Sequence, residues 1–272
     1  MRRFVPFVKF APRVGVVRLS GAIGAAGRLG QGLNDAALGP VIERAFRAGK
    51  PAAVALVINS PGGSAVQSSL IAARMRRLAD ELKLPIHAFV EDAAASGGYW
   101  LACAADDIWV DPGSIVGSIG VIAASFGLVD LIGRQGIERR VHTAGRSKSF
   151  ADPFLPEKPE DTDRLRHLLD DIHAAFIAHV RDRRGERLAA GQELFEGDFW
   201  TGRRAVELGL ADGIGHLEPK LREIYGEKVR LIHHGARRPF LRRLSLAGAI
   251  SDAVADLPRL AEERALWARI GL

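Results

Sequence analysis

Three short segments combine residue types that a purely structural chain has little reason to place together. Asn59-Ser60-Pro61-Gly62-Gly63 follows the apolar run 52–58. Adjacent glycines let a backbone approach a ligand or another chain closely and leave N–H groups free to donate. An ordinary strand-to-helix turn would account for the same residues. Ala94-Ala95-Ser96-Gly97-Gly98-Tyr99-Trp100 sets a serine hydroxyl at the start of a predicted helix, where unpaired N–H groups favour a developing anion. A helix N-cap is the structural alternative for that serine. Gly145-Arg146-Ser147-Lys148-Ser149 places one of the chain's seven lysines between two hydroxyls. A desolvated lysine amine can act as a general base, whereas a solvated surface lysine is the bland use of the residue. Each segment alone leaves both readings open.

The elements that must position these segments follow from patterning. Residues 14–19 (VGVVRL) read as a first strand, and 52–58 (AAVALVI) as a buried parallel strand stopped by the glycine turn. Asn34 caps a predicted helix reaching residue 48, and 64–82 carries Val66, Leu70, Ile71, Met75 and Leu78 at helical spacing. Strands are expected at 85–90, 107–110 and 139–143, with 91–95 leading into Ser96. A helix is expected at 99–105, glycine-rich turns over 111–121, and a short helix at 128–135. The strongest helical period lies between 161 and 184, through Leu165, Leu168, Leu169, Ile172, Phe176, Ile177 and Val180. Alternating strands and helices over 14–215 predict an α/β fold with a largely parallel sheet. The one compositional shift, at 237–243, divides the chain into a 1–13 extension, a 14–235 body and a 236–272 helical tail. In that tail Leu244, Leu246, Ala249, Ile250, Ala253, Val254 and Leu257 form a stripe. Such a stripe suits packing on the body, on a neighbouring subunit or on an anionic membrane surface.

In combination, the segments resemble the signal peptide peptidase A (SppA) family of Ser–Lys serine proteases. The resemblance is carried by Asn59-Ser60-Pro61-Gly62-Gly63, by Ala95-Ser96-Gly97-Gly98-Tyr99, by Gly113-Ser114-Ile115-Val116-Gly117-Ser118-Ile119-Gly120-Val121, and by the Lys148 segment. It spans 14–215 and implies a ClpP/crotonase-like fold of stacked βαβ units. It also implies Ser96 as nucleophile, Lys148 as general base, and backbone N–H groups of Gly62 or Gly63 with Gly97 as the oxyanion hole. The expected activity is endopeptidase hydrolysis of peptides, signal-peptide remnants among them, with no cofactor. This chain has one copy of a unit that the family's double-length form carries twice, with serine and lysine in different halves. A homo-oligomeric ring with dyads shared between protomers is expected by that analogy. Ser147 stands where the family often has an aromatic residue.

Composition narrows the remaining classes. The 272 residues are 47% hydrophobic and 26% charged, which excludes a disordered or collagen-like chain. A single cysteine, Cys103, excludes an internal disulfide and a cysteine-rich zinc site; it reads as a buried small apolar residue. The net charge of +6 comes from a basic set of 38 in which 31 are arginine, without an aromatic-interleaved stripe, so nucleic acid is not an expected partner. His167, His173 and His179, six residues apart, fall on different helix faces, and no metal site is expected. Asp106-Asp107 are followed by no histidine at a matching motif. Early apolar residues are interrupted by Pro6, Lys9, Pro12 and Arg13, so the expectation is a cytoplasmic protein with at most peripheral membrane contact. Two alternatives stay open: a crotonase-type acyl-CoA enzyme using Glu91 or Asp92, and a non-catalytic scaffold in which Ser96 only caps a helix.

Overall fold

The run after Ala52 becomes the middle of the sheet. Strand β2 (Ala53–Ser60) is buried along nearly its whole length, and its alternate side chains enter two different cores. Val54, Leu56 and Ile58 face the larger core, and Ala53, Ala55 and Val57 face the smaller. Burial on both faces is what a parallel sheet covered by helices demands. β1 (Arg13–Ser20) and β3 (Ile86–Ala95) flank it in parallel register. The computed structural model describes residues 11–24, 33–145, 147–235, 261 and 263–272.

Helix α1 (Asp35–Arg47) links β1 to β2, and α2 (Ala65–Leu82) links β2 to β3. Their starts are set by side-chain caps, as the Asn34 side chain accepts from the Ala37 N–H and the Ser64 side chain from the Gln67 N–H. Ile71, Met75 and Leu78 of α2 are fully buried, each stabilising the fold by about 1.5–3 kcal/mol. Beyond β3 come α3 (Gly97–Ala102), β4 (Asp107–Val110), β5 (Ile115–Gly117), α4 (Val129–Arg134) and the long α5 (Pro159–Arg184). β6 (Phe199–Thr201), α6 (Gly202–Glu207), β7 (Gly213–Ile214), α7 (Leu217–Tyr225) and β8 (Arg230–His234) complete the named elements. The sheet order is β6-β5-β3-β2-β1-β8, with β4 beside β3 and β7 beside β4. All pairings are parallel except β5 with β6. This is the expected α/β arrangement of stacked βαβ units.

Several expectations need correction. Strand β3 continues through residues 91–95, because its first half pairs with β4 and its last three residues, Ala93 to Ala95, pair with β5. That change of partner carries the strand to the edge of the glycine turn. Residues 139–143 form no strand; Arg139 and Arg140 pair locally with Asp152 and Glu138, and the single valine offers no face to a sheet. In α2, Val66 and Leu70 are exposed. In α5, only Phe176, Val180 and Arg184 are buried, while Leu168 and Ile172 remain exposed. The stripe at 244–257 and the compositional shift at 237–243 lie outside the described residues; the chain is helical again at 263–268.

Candidate active site

Ser96 stands where β3 ends and α3 begins, so the chain must turn from extended to helical within one residue. It does so at φ 51° and ψ −121°, a conformation that costs an L-residue about 1–3 kcal/mol. Fixed neighbours hold it there. The Ser96 N–H donates to the Gly117 carbonyl at 2.8 Å, and the Ser96 carbonyl accepts from Tyr99 and Trp100 at 2.9 and 3.0 Å. Ser96 occupies the N-cap position of α3, but its side chain makes no capping hydrogen bond, so capping does not account for its hydroxyl. It lines a cavity of about 660 Å³ instead.

Gly62 and Gly63 press against this turn. A Cβ on Gly62 would lie 2.8 Å from the Ser96 Cβ and 3.0 Å from the Gly97 nitrogen. Both glycines have positive φ, 104° and 136°, where a side chain would be strained. Ile23 clamps the loop: its N–H donates to the Gly62 carbonyl and its carbonyl accepts from Ser64, both at 2.8 Å. Buried Ser60 adds a second clamp, its Oγ donating to the Gly21 carbonyl at 2.7 Å and accepting from the Gly62 N–H at 3.2 Å. The Gly62 N–H is thereby committed. The N–H groups of Gly63 and Gly97 have no acceptor among the described residues, and a Cβ on Gly97 would lie 3.5 Å from the Gly63 nitrogen. Two unpaired donors therefore lie close together beside the serine.

The cavity walls are largely apolar, with Trp100, Leu169, Ile172, Phe176 and Phe199 among them. Trp100 stacks on Phe176 and on His179, with ring centroids 4.8 and 5.1 Å apart. His179 Nε2 donates to the Trp100 carbonyl at 3.1 Å, and burial holds its imidazole below the ordinary 6.5, favouring the neutral ring. α5 is thus fastened to α3 behind Ser96. Ser118 presents a second hydroxyl residue to the cavity from a positive φ of 52°. The sequence reading carried it only inside a glycine-rich motif; its signal was a serine at the centre of Gly117-Ser118-Ile119-Gly120.

Lys148 is not brought to this cavity. It is exposed in a turn at 147–150, and its ammonium makes no hydrogen bond or ion pair among the described residues. The alternative chemical groups are occupied elsewhere. Glu91 accepts two hydrogen bonds from Arg18 at 2.6 and 2.7 Å, and Asp92 accepts from the Asn59 side chain at 2.6 Å; neither acid lines the Ser96 cavity. Asp107 does meet a histidine, His87, which precedes it in sequence. Its Nδ1 lies 2.9 Å from the carboxylate and its Nε2 2.8 Å from the Tyr225 hydroxyl, so both ring nitrogens are engaged, nine residues along β3 from Ser96 and roughly 30 Å away. Burial pushes the Cys103 thiol up to about 12, which removes it as a nucleophile. Among the described residues no cluster of His, Cys, Asp or Glu could hold a metal ion, and no helix is long and apolar enough to cross a membrane.

Residues 79–228, a little over half the chain, match Peptidase family S49. A protein of Brucella abortus named as a Na(+)/H(+) antiporter, NhaA, is 46% identical over 286 aligned residues, covering 100% of this chain and 39% of that protein. A Synechocystis protein carrying a protease name is 30% identical over 205 residues, 73% of each chain. The chloroplastic serine protease SPPA of Arabidopsis thaliana is 31% identical over 176 residues, 64% of this chain and 26% of that protein. This chain thus spans about two fifths of the length of its antiporter-named relative.

Proposed function

The chain belongs to peptidase family S49, and from that premise we propose that it is a serine endopeptidase in which Ser96 attacks the peptide carbonyl. The observation that carries this reading is the convergence at Ser96. A serine held in a strained turn lines a cavity beside the two uncommitted N–H groups of Gly63 and Gly97. Attack by Oγ turns the carbonyl oxygen into an oxyanion, and fixed donors beside the serine would stabilise it without reorganising. Gly63 is the preferred partner of Gly97 because the Gly62 N–H already donates to Ser60; Gly62 supplies the close approach. Collapse of the tetrahedral adduct leaves an acyl-enzyme, which water then hydrolyses.

The proton of Ser96 goes to Lys148 of a neighbouring protomer. Within one protomer Lys148 lies outside the cavity, and the residues leading to it expose Ile122, Phe126, Leu131 and Ile137, Phe126 by 83%. Apolar surface of this kind, with the uncovered first half of α5, supports assembly into a ring. Burial against a neighbour would favour the neutral amine that a base must offer. The antiporter name is said of a whole protein of which this chain matches 39%; peptides, signal-peptide remnants included, are the substrates carried over from the resemblance to the SppA family. The test mixes and co-refolds Ser96→Ala with Lys148→Ala, each inactive alone. Activity regained in the mixture supports the shared dyad, and a mixture that stays inactive despite demonstrated co-assembly refutes it.

A further inference from the structure

One wall of the Ser96 cavity comes from the far end of the chain. Leu266, Arg269 and Ile270 line it together with the apolar residues of α5. Two separate attachments hold this segment. A Glu263 carboxylate oxygen accepts from the Ala22 N–H at 3.2 Å, one residue before the Ile23 clamp. Ile270 is 7% exposed and clusters with Ala93 and Ala95, with Trp267 and Ile115 packed against them. Strand alternation explains the partnership. Ala94 enters the main core, so Ala93 and Ala95 face the other side of β3. Their small side chains leave the space that Trp267 and Ile270 occupy, immediately before the nucleophile.

Charge gives the wall a second property. Glu196 and Arg269 are the charged residues lining the cavity, and neither has an ion pair among the described residues. In a mostly apolar cleft an unpaired guanidinium offers a forked, charge-assisted hydrogen bond to a carboxylate.

We propose that the C-terminal segment is the specificity-determining wall of the substrate cleft. Leu266 and Ile270 limit the size of the apolar side chain admitted, and Arg269 selects a carboxylate beside it. The proposal rests on the reading of the Ser96 cavity as the peptide site. The carboxylate belongs to an acidic side chain or to the free C-terminus of a product-length peptide.

Binding to the full-length Ser96→Ala variant tests the charge preference without turnover. Fluorescent peptides carrying an apolar residue followed by Asp or Asn, each with a free or amidated C-terminus, are titrated by anisotropy. Arg269 is exposed, so peptides bearing the selected carboxylate should bind about two- to fivefold tighter than their neutral counterparts. Arg269→Gln should erase the difference and Arg269→Glu reverse it. Dependence on Asp identifies the side chain as the source, and dependence on amidation identifies the terminus. Equal affinities, or a preference unchanged by Arg269→Gln, overturn the proposal. Size selection is read on the protein with Ser96 intact, using small and bulky fluorophosphonates. Deleting 263–272, or replacing Leu266 and Ile270 by Ala should the deletion not fold, should raise the bulky-to-small rate ratio about tenfold. An unchanged ratio overturns the wall. Failure of both probes to label Ser96 in the intact chain would strike at the nucleophile instead, while the binding arm still reports on Arg269.

Discussion

Gly97→Ala should separate the stability of this site from its chemistry. A Cβ at Gly97 would lie 2.4 Å from the Ser68 Oγ and 3.2 Å from the Ile23 Cδ1. Overpacking of that kind costs about 2 kcal/mol, or roughly 4–8 °C in Tm for a chain of this length. Ser68→Ala removes the closest atom at little cost. Its Oγ donates to the Ser64 carbonyl at 2.9 Å, and that carbonyl also accepts from the Ser68 N–H at 3.0 Å, so no buried acceptor is stranded and the loss is under about 1 kcal/mol. The double variant should therefore be more stable than Gly97→Ala by about 1–2 kcal/mol, a coupling measurable by thermal melts of all four proteins. Activity should not follow. The added methyl still stands 3.5 Å from the Gly63 nitrogen, beside the donors assigned to the oxyanion, and kcat/KM should stay about 10²–10³-fold down. Wild-type kcat/KM in the double variant would refute the assignment of Gly63 and Gly97. Failure of Ser68→Ala to restore Tm would refute the packing argument.

Arg184 is buried and bridges Asp212 at 2.7 and 3.2 Å while donating to the Gly209 carbonyl; Arg184→Ala should cost about 3–5 kcal/mol in urea unfolding, and a loss below about 1 would contradict the role given to the pair. Burial, the largest single influence, would raise the Asp212 carboxyl, but Arg184, the Ile108 N–H and Arg187 together outweigh it and hold the group below 3.8. The pair's stabilisation is thus complete above about pH 4 and lost as pH falls through the lowered folded value, so Arg184→Ala should flatten that acid limb of a stability–pH curve. His179 acts at higher pH. Its folded value lies below 6.5, so stability is complete above that pH and declines below it, as the unfolded chain takes the proton first. His179→Gln should remove this decline, and a curve unchanged between about pH 5 and 7 would count against a buried neutral ring.

The central strands and the two-faced burial of β2 were legible because an uninterrupted apolar run has few other uses. The Asn34 cap was legible for the same local reason, since it is a hydrogen bond to a residue three positions on; the matching cap at Ser64 emerged only in the structure. What escaped was non-local. Residues 91–95 contain two acids and three alanines, a weak strand by propensity, and become strand because β5 lies alongside to pair with them. The antiparallel return of β6 and the pairing of β8 with β1 depend on chain segments far apart in sequence. The serine and glycine motifs identified the turn, but the commitment of the Gly62 N–H to Ser60 is a matter of distance that no spacing rule reports. The contribution of Arg269 and Ile270 to the cavity is likewise tertiary. Lys148 stood out through scarcity and its neighbours, which carry no information about which protomer's serine it meets.

Covalent capture tests the central assignment most directly. The full chain, at a concentration where it is assembled, is treated with a fluorophosphonate, digested and read by mass spectrometry. The account predicts one adduct, on Ser96, absent from the Ser96→Ala variant. Modification at another residue, or undiminished labelling of Ser96→Ala, would contradict it.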